Sequence, residues 1–321
     1  MIVHALAVLA SAAAIQSAAS APPRGLTVAT GPEGSLIIAE DGRPVLRYNY
    51  HTILPGDVLA HVAQADRIYA QPRSDYIHPL YGLDGEELTR DFPVDHPHHR
   101  GIYWAWPETG YGSEMGDLHA LQRVFARPTG NVRMRQGRDR AEIQAENRWM
   151  WEDRVPIAHE RVLIRVYRLR PEGRFVDLVL RFRALQEGVT IARRHTDLYG
   201  GLNIRLNSVA DQHIVFHTDA PSAVSRAAWG YLWGTFPGGK QPTAVIVLQS
   251  PANPDYPGDW VQYPELNWFQ PTFPAAKTRY ALSTSKALEL RYRIWIRPGA
   301  QPDEDILRRA WEKFAQGQPP N

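Results

Sequence analysis

The 321-residue sequence predicts an all-β protein, a large antiparallel β-sandwich with one C-terminal helix. Three observations carry this. Segments of strand length alternate apolar and polar residues with period two along most of the chain. Turn residues punctuate them at regular intervals. Only the segment after Pro302 shows the helical period.

The first strands fall at residues 26–30 and 35–40, around Gly31-Pro32-Glu33-Gly34. Asp41-Gly42 is a tight hairpin signal, and residues 44–50 pair back with a half-buried alternation. Residues 51–67 read as loop. His78 precedes Pro79 and is biased to extended geometry. Residues 102–106 form an aromatic strand, and the glycine-rich stretch from Gly110 to Gly116 reads as a flexible lid. Residues 141–149 alternate cleanly. Residues 161–170 and 175–185 form a long hairpin about Gly173. Two-sided strands of this length suit stacked sheets. Residues 204–206, 213–217, 243–249 and 288–296 add further strands. In the final segment Pro302 suits a first helical turn, and Asp303, Glu304 and Asp305 complement its positive end. Ile306, Leu307, Ala310, Trp311 and Phe314 then follow helical spacing.

Residues 1–21 read as a signal peptide, with an apolar run at residues 2–15 and small residues before cleavage. His4 stands where Lys or Arg is usual. A periplasmic or secreted location follows, with residues 22–321 as a single domain and no further membrane span. The absence of cysteine excludes disulfides, thiolate metal sites and a cysteine nucleophile. Net charge is +2 with arginines scattered along strands, so nothing points to nucleic acid. P-loop, G-x-G-x-x-G, G-x-S-x-G and H-E-x-x-H motifs are missing.

Chemistry concentrates in Asp95-His96-Pro97-His98-His99-Arg100-Gly101, which holds three of the twelve histidines. Imidazole titrates near neutral pH and is the commonest metal ligand. If the stretch is extended, His96 and His98 share a face and offer two ligands to a divalent metal. His78, His195 or a carboxylate would then complete the site. The metal-free alternative makes His98 or His99 the acid/base, with Asp95 fixing a tautomer and Arg100 stabilising developing charge. A third alternative is a set of histidines that only bond backbone in a tight turn. Arg193-Arg194-His195-Thr196-Asp197-Leu198-Tyr199-Gly200-Gly201 is a second candidate stretch, with His195 as proton partner. A third runs from Asn253 through Trp260 to Asn267-Trp268-Phe269 and resembles a sugar-binding wall. His78, Tyr81, Trp104, Trp106, Asn267 and Trp268 are the candidate substrate-binding residues.

Tyr76-Ile77-His78-Pro79-Leu80-Tyr81, Gly85, Leu88-Thr89 and the block from Asp95 to Ile102 together resemble a bacterial family. That family is labelled "methane oxygenase PmoA" or filed as a domain of unknown function. Tyr199 to Arg205, Asn253, Trp260 and Leu290 to Arg293 also fit. The resemblance implies a secreted β-sandwich related to the galactose-mutarotase-like supersandwich, and a sugar-related role. The label is not read as an activity, because no part of this chain beyond the N-terminal run is apolar enough to span a membrane. The combined expectation is acid/base chemistry on a carbohydrate (hydrolysis, elimination or epimerisation). A metal-dependent enzyme, an oxygenase included, and a non-catalytic carbohydrate-binding protein are the alternatives.

Overall fold

The computed structural model describes residues 24–217 and 226–320; the expected signal peptide at residues 1–21 lies outside them. The chain opens with β1 (Leu26–Thr30), β2 (Leu36–Glu40), β3 (Arg43–Asn49), β4 (Tyr76–Leu80), β5 (Ile102–Ala105), β6 (Glu108–Tyr111) and β7 (Glu114–Gly116). Long strands follow: β8 (Val124–Arg135), β9 (Arg140–Trp151), β10 (Val155–Tyr167) and β11 (Arg174–Ala184). Next come β12 (Val189–Ala192), β13 (Gly201–Arg205), β14 (Ala210–Phe216), β15 (Trp229–Thr235) and β16 (Thr243–Gln249). The last are β17 (Trp260–Tyr263), β18 (Trp268–Pro271), β19 (Tyr280–Ala281), β20 (Leu288–Pro298) and the helix α1 (Glu304–Ala315).

These strands form two eight-stranded antiparallel sheets and a small third one. The first runs β1-β2-β3-β4-β5-β13-β18-β17, and the second β14-β15-β16-β20-β11-β10-β9-β8. The third, β19-β12-β6-β7, takes in Gly110–Gly116. The expected lid is therefore a paired hairpin, in which Thr109, Gly110 and Tyr111 face Gly116, Met115 and Glu114. Two of its glycines reflect close packing, since a Cβ would crowd Thr190 at Gly110 and Val124 and Trp151 at Gly116, while Gly112 turns the hairpin at φ +60°.

The period-two alternation explains the sandwich. Val162, Ile164 and Val166 of β10, with Leu178, Leu180 and Phe182 of β11, point inward. They meet Ile38, Leu46, Ile102 and Leu202 of the first sheet in one apolar core. Each such side chain contributes about 1.5–3 kcal/mol on burial. The hairpin between β10 and β11 turns at Gly173, whose φ of +122° suits glycine.

α1 begins where expected. Asp303 caps it, accepting the backbone N–H groups of Asp305 and Ile306. Leu307 packs with Trp229, Ile246 and Trp295 on the outer face of the second sheet, covering its β15–β16–β20 part.

The ladders are uneven. β10 and β11 pair continuously from Ala158 opposite Ala184 to Val166 opposite Val176. β4 and β5 pair only where Ile77 lies opposite Ile102, and β13 meets β18 only through Ile204 and Arg205. Side chains close the β4–β5 seam. Buried Arg100 donates through Nε to Asp91 Oδ1 at 2.5 Å and through Nη2 to the Tyr76 hydroxyl.

A buried polar cluster joins the two sheets. Trp104 Nε1 of β5 donates to Glu160 Oε1 of β10 (2.6 Å) and to Asp75 Oδ2 (3.1 Å). Trp149 Nε1 donates to Glu160 Oε2 (2.6 Å), and the Tyr48 hydroxyl to Asp75 Oδ1 (2.5 Å). Burial first, then the charge of Asp75, pushes the Glu160 carboxyl well above its ordinary range. Burial also raises Asp75. Glu160 therefore keeps a proton and shares it with Asp75.

Candidate functional site

The histidine stretch is a pair of turns rather than a strand. His96 N–H donates to the Pro93 carbonyl (3.2 Å) and His99 N–H to the His96 carbonyl (2.9 Å). Pro97 fits this path, and the shared His96/His98 face of an extended chain does not form. Gly101, at φ +61°, ends the turns against β4, where a Cβ would run into the Ile77 carbonyl oxygen.

The turns deliver His98 and His99 side by side, and a second turn delivers His119. There Asp117 Oδ1 accepts the Ala120 N–H (2.7 Å). Arg73 clasps the two turns, donating to the His98 carbonyl (3.1 Å) and the Leu118 carbonyl (2.6 Å). Its guanidinium lies over the Tyr103 ring at 4.5 Å. Tyr103 comes from β5, and its hydroxyl lies 2.9 Å from His119 Nε2.

One potential ligand atom from each of His98, His99 and His119 lies within 4.8 Å of the others. The Nδ1 atoms of all three are buried and have no hydrogen-bond partner. Burial, helped by Arg73, holds His98 down at about 3. Burial also holds His99 and His119 well below the ordinary imidazole value, helped in each case by the neighbouring His98. All three are neutral imidazoles at neutral pH, the state in which histidine binds metal.

Aromatic rings wall this floor. The Trp268 ring centre lies 4.8 Å from His99 and 5.9 Å from His119. Tyr263 stacks on Trp268 at 5.1 Å and 18°. Tyr199 stands 5.0 Å from His119, and Tyr69 5.5 Å from His98. Together with Asp66, Asp95, Arg194 and Glu265 they enclose a cleft of about 550 Å³. Arg194 is fixed by Asp117 at 2.6 Å.

A family of unknown function, DUF6807, matches residues 35–312, nearly the whole described chain. The chain belongs to DUF6807. No curated protein matches this DUF6807 chain. Among solved structures, a chain described as a polysaccharide lyase is similar at a TM-score of 0.32 and 10% identity. That match covers 76% of the DUF6807 chain, which spans 33% of the lyase chain.

The DUF6807 structure redistributes the residues singled out in the sequence. His98, His99 and Trp268 lie in the cleft. His96 is on its rim, 3.2 Å from Asp95, so His119 joins His98 and His99 where His96 was expected beside His98. Arg100 is fully buried in the β4–β5 seam, so it is not placed to stabilise charge on a substrate. Trp104 belongs to the polar cluster between the sheets, and Trp106 packs in the core against Trp149 and Phe182. β5 is buried along its whole length, and Trp106, just past its end, is fully buried as well. His78 bonds Thr89 at 3.0 Å, Tyr81 bridges to Glu87 through its backbone, and neither lines the cleft. His195 is exposed at φ +52°, and its neighbour Arg194 lines the cleft instead. Asn267 caps a short turn at φ +49° and bonds Gln212 at 2.6 Å, which leaves the lining to Leu266 and Trp268. His119 and Arg73 escape sequence reading because each is a lone residue of its type, brought in only by tertiary packing.

Proposed function

We propose that this chain is a carbohydrate-active protein whose cleft holds a divalent metal ion on His98, His99 and His119. One observation carries the metal: three neutral imidazoles each bring a nitrogen within 4.8 Å of the others, with His98 and His99 lining the cleft and His119 fully buried beside them. A buried polar atom without a partner is costly, and a cation bound through the Nδ1 atoms of these histidines would relieve that cost. A metal held by three histidines with a fourth position left to a ligand is the pattern of catalytic rather than structural sites, and the adjoining cleft is where such a ligand would enter. The depressed imidazoles count against a histidine general acid, which needs a pKa near the working pH.

The walls support a sugar. The Trp268–Tyr263 pair offers a flat face for the C–H side of a pyranose, while Asp66, Asp95 and Glu265 can accept its hydroxyls. A divalent cation on neutral ligands keeps its full charge and would polarise a hydroxyl, carbonyl or water facing it. The oxygenase chemistry of the "methane oxygenase" label needs a redox-active metal, which hydrolysis, elimination and epimerisation do not, so the metal's identity separates the first from the other three. Export to the periplasm or the medium fits a protein that meets carbohydrate there.

The test is elemental analysis of untagged protein purified without chelator, as wild type, His96→Ala and His119→Ala. Near-stoichiometric metal is expected in the first two and none in the third. Equal content in wild type and His119→Ala, or none after incubation with zinc, manganese, nickel and copper salts, would overturn the site. A glycan array read with wild type and Trp268→Ala tests the carbohydrate: binding should weaken about tenfold when the stacking face is lost. Absence of any glycan bound by wild type refutes that half.

A further inference from the structure

The arginines that look scattered in the sequence share one surface. Across the outer face of the second sheet, Arg161 lies directly opposite Arg181, flanked by Glu146 and Glu289. The next row runs from Arg133 through Gln144, Leu163 and Val179 to Arg291. On the other side, Arg127 lies opposite Arg148, and His159 sits between Arg148 and Arg183. α1 covers only the β15–β16–β20 part, so this face is open. β8 leaves the ladder between Pro128 and Val132, and Gly130–Asn131 forms a rim there. Rim and strands bound a trough of about 480 Å³, lined by Arg133, Gln144, Glu146, Arg161 and Arg181 among others.

We infer that this trough binds an acidic polysaccharide, a chain carrying carboxylate groups at intervals along a hydroxyl-rich backbone. Like charges directly opposite on neighbouring strands destabilise a sheet, yet the chain places arginine against arginine twice. Glu146 and Glu289 neutralise part of the face through Arg161, Arg181 and Arg291, and Asp153 holds Arg127 through two hydrogen bonds. Arg133, Arg148 and Arg183 have no acidic partner among the described residues. The excess is arginine, whose planar fork takes a carboxylate in two parallel hydrogen bonds.

The interleaved glutamates and amides choose among polyanions. Asn131 Nδ2 holds Glu146 at 3.0 Å, so acceptors and donors alternate between cations, as sugar hydroxyls require. Neighbouring strands stand about 4.8 Å apart, so cations and acceptors recur at roughly the length of one sugar residue. A nucleic acid, with one charge about every 1.7 Å of duplex, would press phosphates onto those glutamates. It would also find no aromatic ring in the trough lining on which to stack bases. This surface is separate from the cleft, and the inference does not rest on the proposed metal.

The experiment is calorimetric titration of the full mature chain with polygalacturonate oligomers, beside neutral dextran, duplex DNA and phosphatidylserine vesicles. Wild type should bind the polyuronate, ignore dextran, and lose affinity as salt rises. Arg133→Gln/Arg148→Gln and Arg161→Gln/Arg181→Gln should each weaken binding about tenfold or more. Their melting temperatures should change little, since Arg133 and Arg148 have no ion pair among the described residues to lose and Arg161 and Arg181 lose only exposed surface pairs. Polyuronate binding that survives in both arginine pairs and is lost in Trp268→Ala would place it in the cleft and overturn the inference. No binding of polyuronate, equal binding by the arginine variants, or tighter binding of DNA or vesicles would overturn the inference.

Discussion

Glu160→Gln probes the proton held between the sheets. Glutamine can donate to Asp75 through its amide, replacing the shared proton. It has a single oxygen to accept from indoles, where Glu160 accepts Trp104 through one oxygen and Trp149 through the other. Trp104 keeps Asp75 Oδ2 at 3.1 Å, so one hydrogen bond is weakened rather than an N–H orphaned, a cost of about 1–2 kcal/mol. That cost shows in full where the wild-type carboxyl is protonated in both folded and unfolded chains, below the ordinary 4.5. Glu160 has a raised folded pKa, so its stabilising contribution is complete below the unfolded value and is lost as pH rises toward the folded one. Within that window the wild type loses about 1.4 kcal/mol per pH unit from this group, and the glutamine variant loses none. The stability curves should therefore cross near about pH 6. At about pH 4.5 the variant should melt roughly 2–3 °C lower, and at about pH 8 it should melt higher. Thermal unfolding followed by tryptophan fluorescence across this range reads the effect. Parallel curves, with the variant less stable at every pH, would show that Glu160 and Asp75 do not share a proton.

Two further substitutions test the scaffold of the cleft. Gly101→Ala puts a Cβ into the Ile77 carbonyl and within 2.9 Å of His78 Cβ, at a φ that alanine avoids. A loss of about 2–5 kcal/mol is expected, and a denaturation midpoint unchanged within error would refute the close approach. Arg100→Lys keeps the charge but cannot bridge Asp91 and the Tyr76 hydroxyl together. It should cost about 2–4 kcal/mol, and wild-type stability in urea would show that the β4–β5 seam does not depend on the guanidinium.

Much of the sandwich is legible in the sequence, because burial on one face writes itself as alternation. β9, β11, β16 and β20 were expected close to their observed bounds, as was α1, while β10, expected at residues 161–170, begins earlier, at Val155. β17 and β18 read as loop because Pro257, Pro264 and Pro271 hide two strands shorter than the usual run. The hairpin of β6 and β7 read as a lid because Gly110 and Gly116 mark packing and Gly112 a tight turn, not freedom. In the cleft, the cluster of imidazoles is local and therefore visible. Which imidazoles converge is not, since Pro97 and two backbone hydrogen bonds turn the segment that alternation would have left straight. The arginine face shows the same limit in reverse. Residues far apart along the chain become neighbours through strand register, which no composition or charge count reports.

The uneven ladders described for the two sheets divide the molecule into parts that open at different free energies. Local opening needs only the breaking of what holds a segment, and amide groups report it one by one. The second sheet, paired along β9, β10 and β11 with one register shift between Pro156 and Ala158, should expose most of its amides only when the whole domain unfolds. The β4–β5 and β13–β18 seams, directly beneath the histidine turns, are held by few backbone bonds and by side chains such as Arg100. A ligand seated in the cleft stabilises that softer half without touching the rigid one. Occupancy would be recorded as slower amide exchange around Ile77, Ile102 and Ile204, while the exchange of Val162 and Leu180 stays where it was.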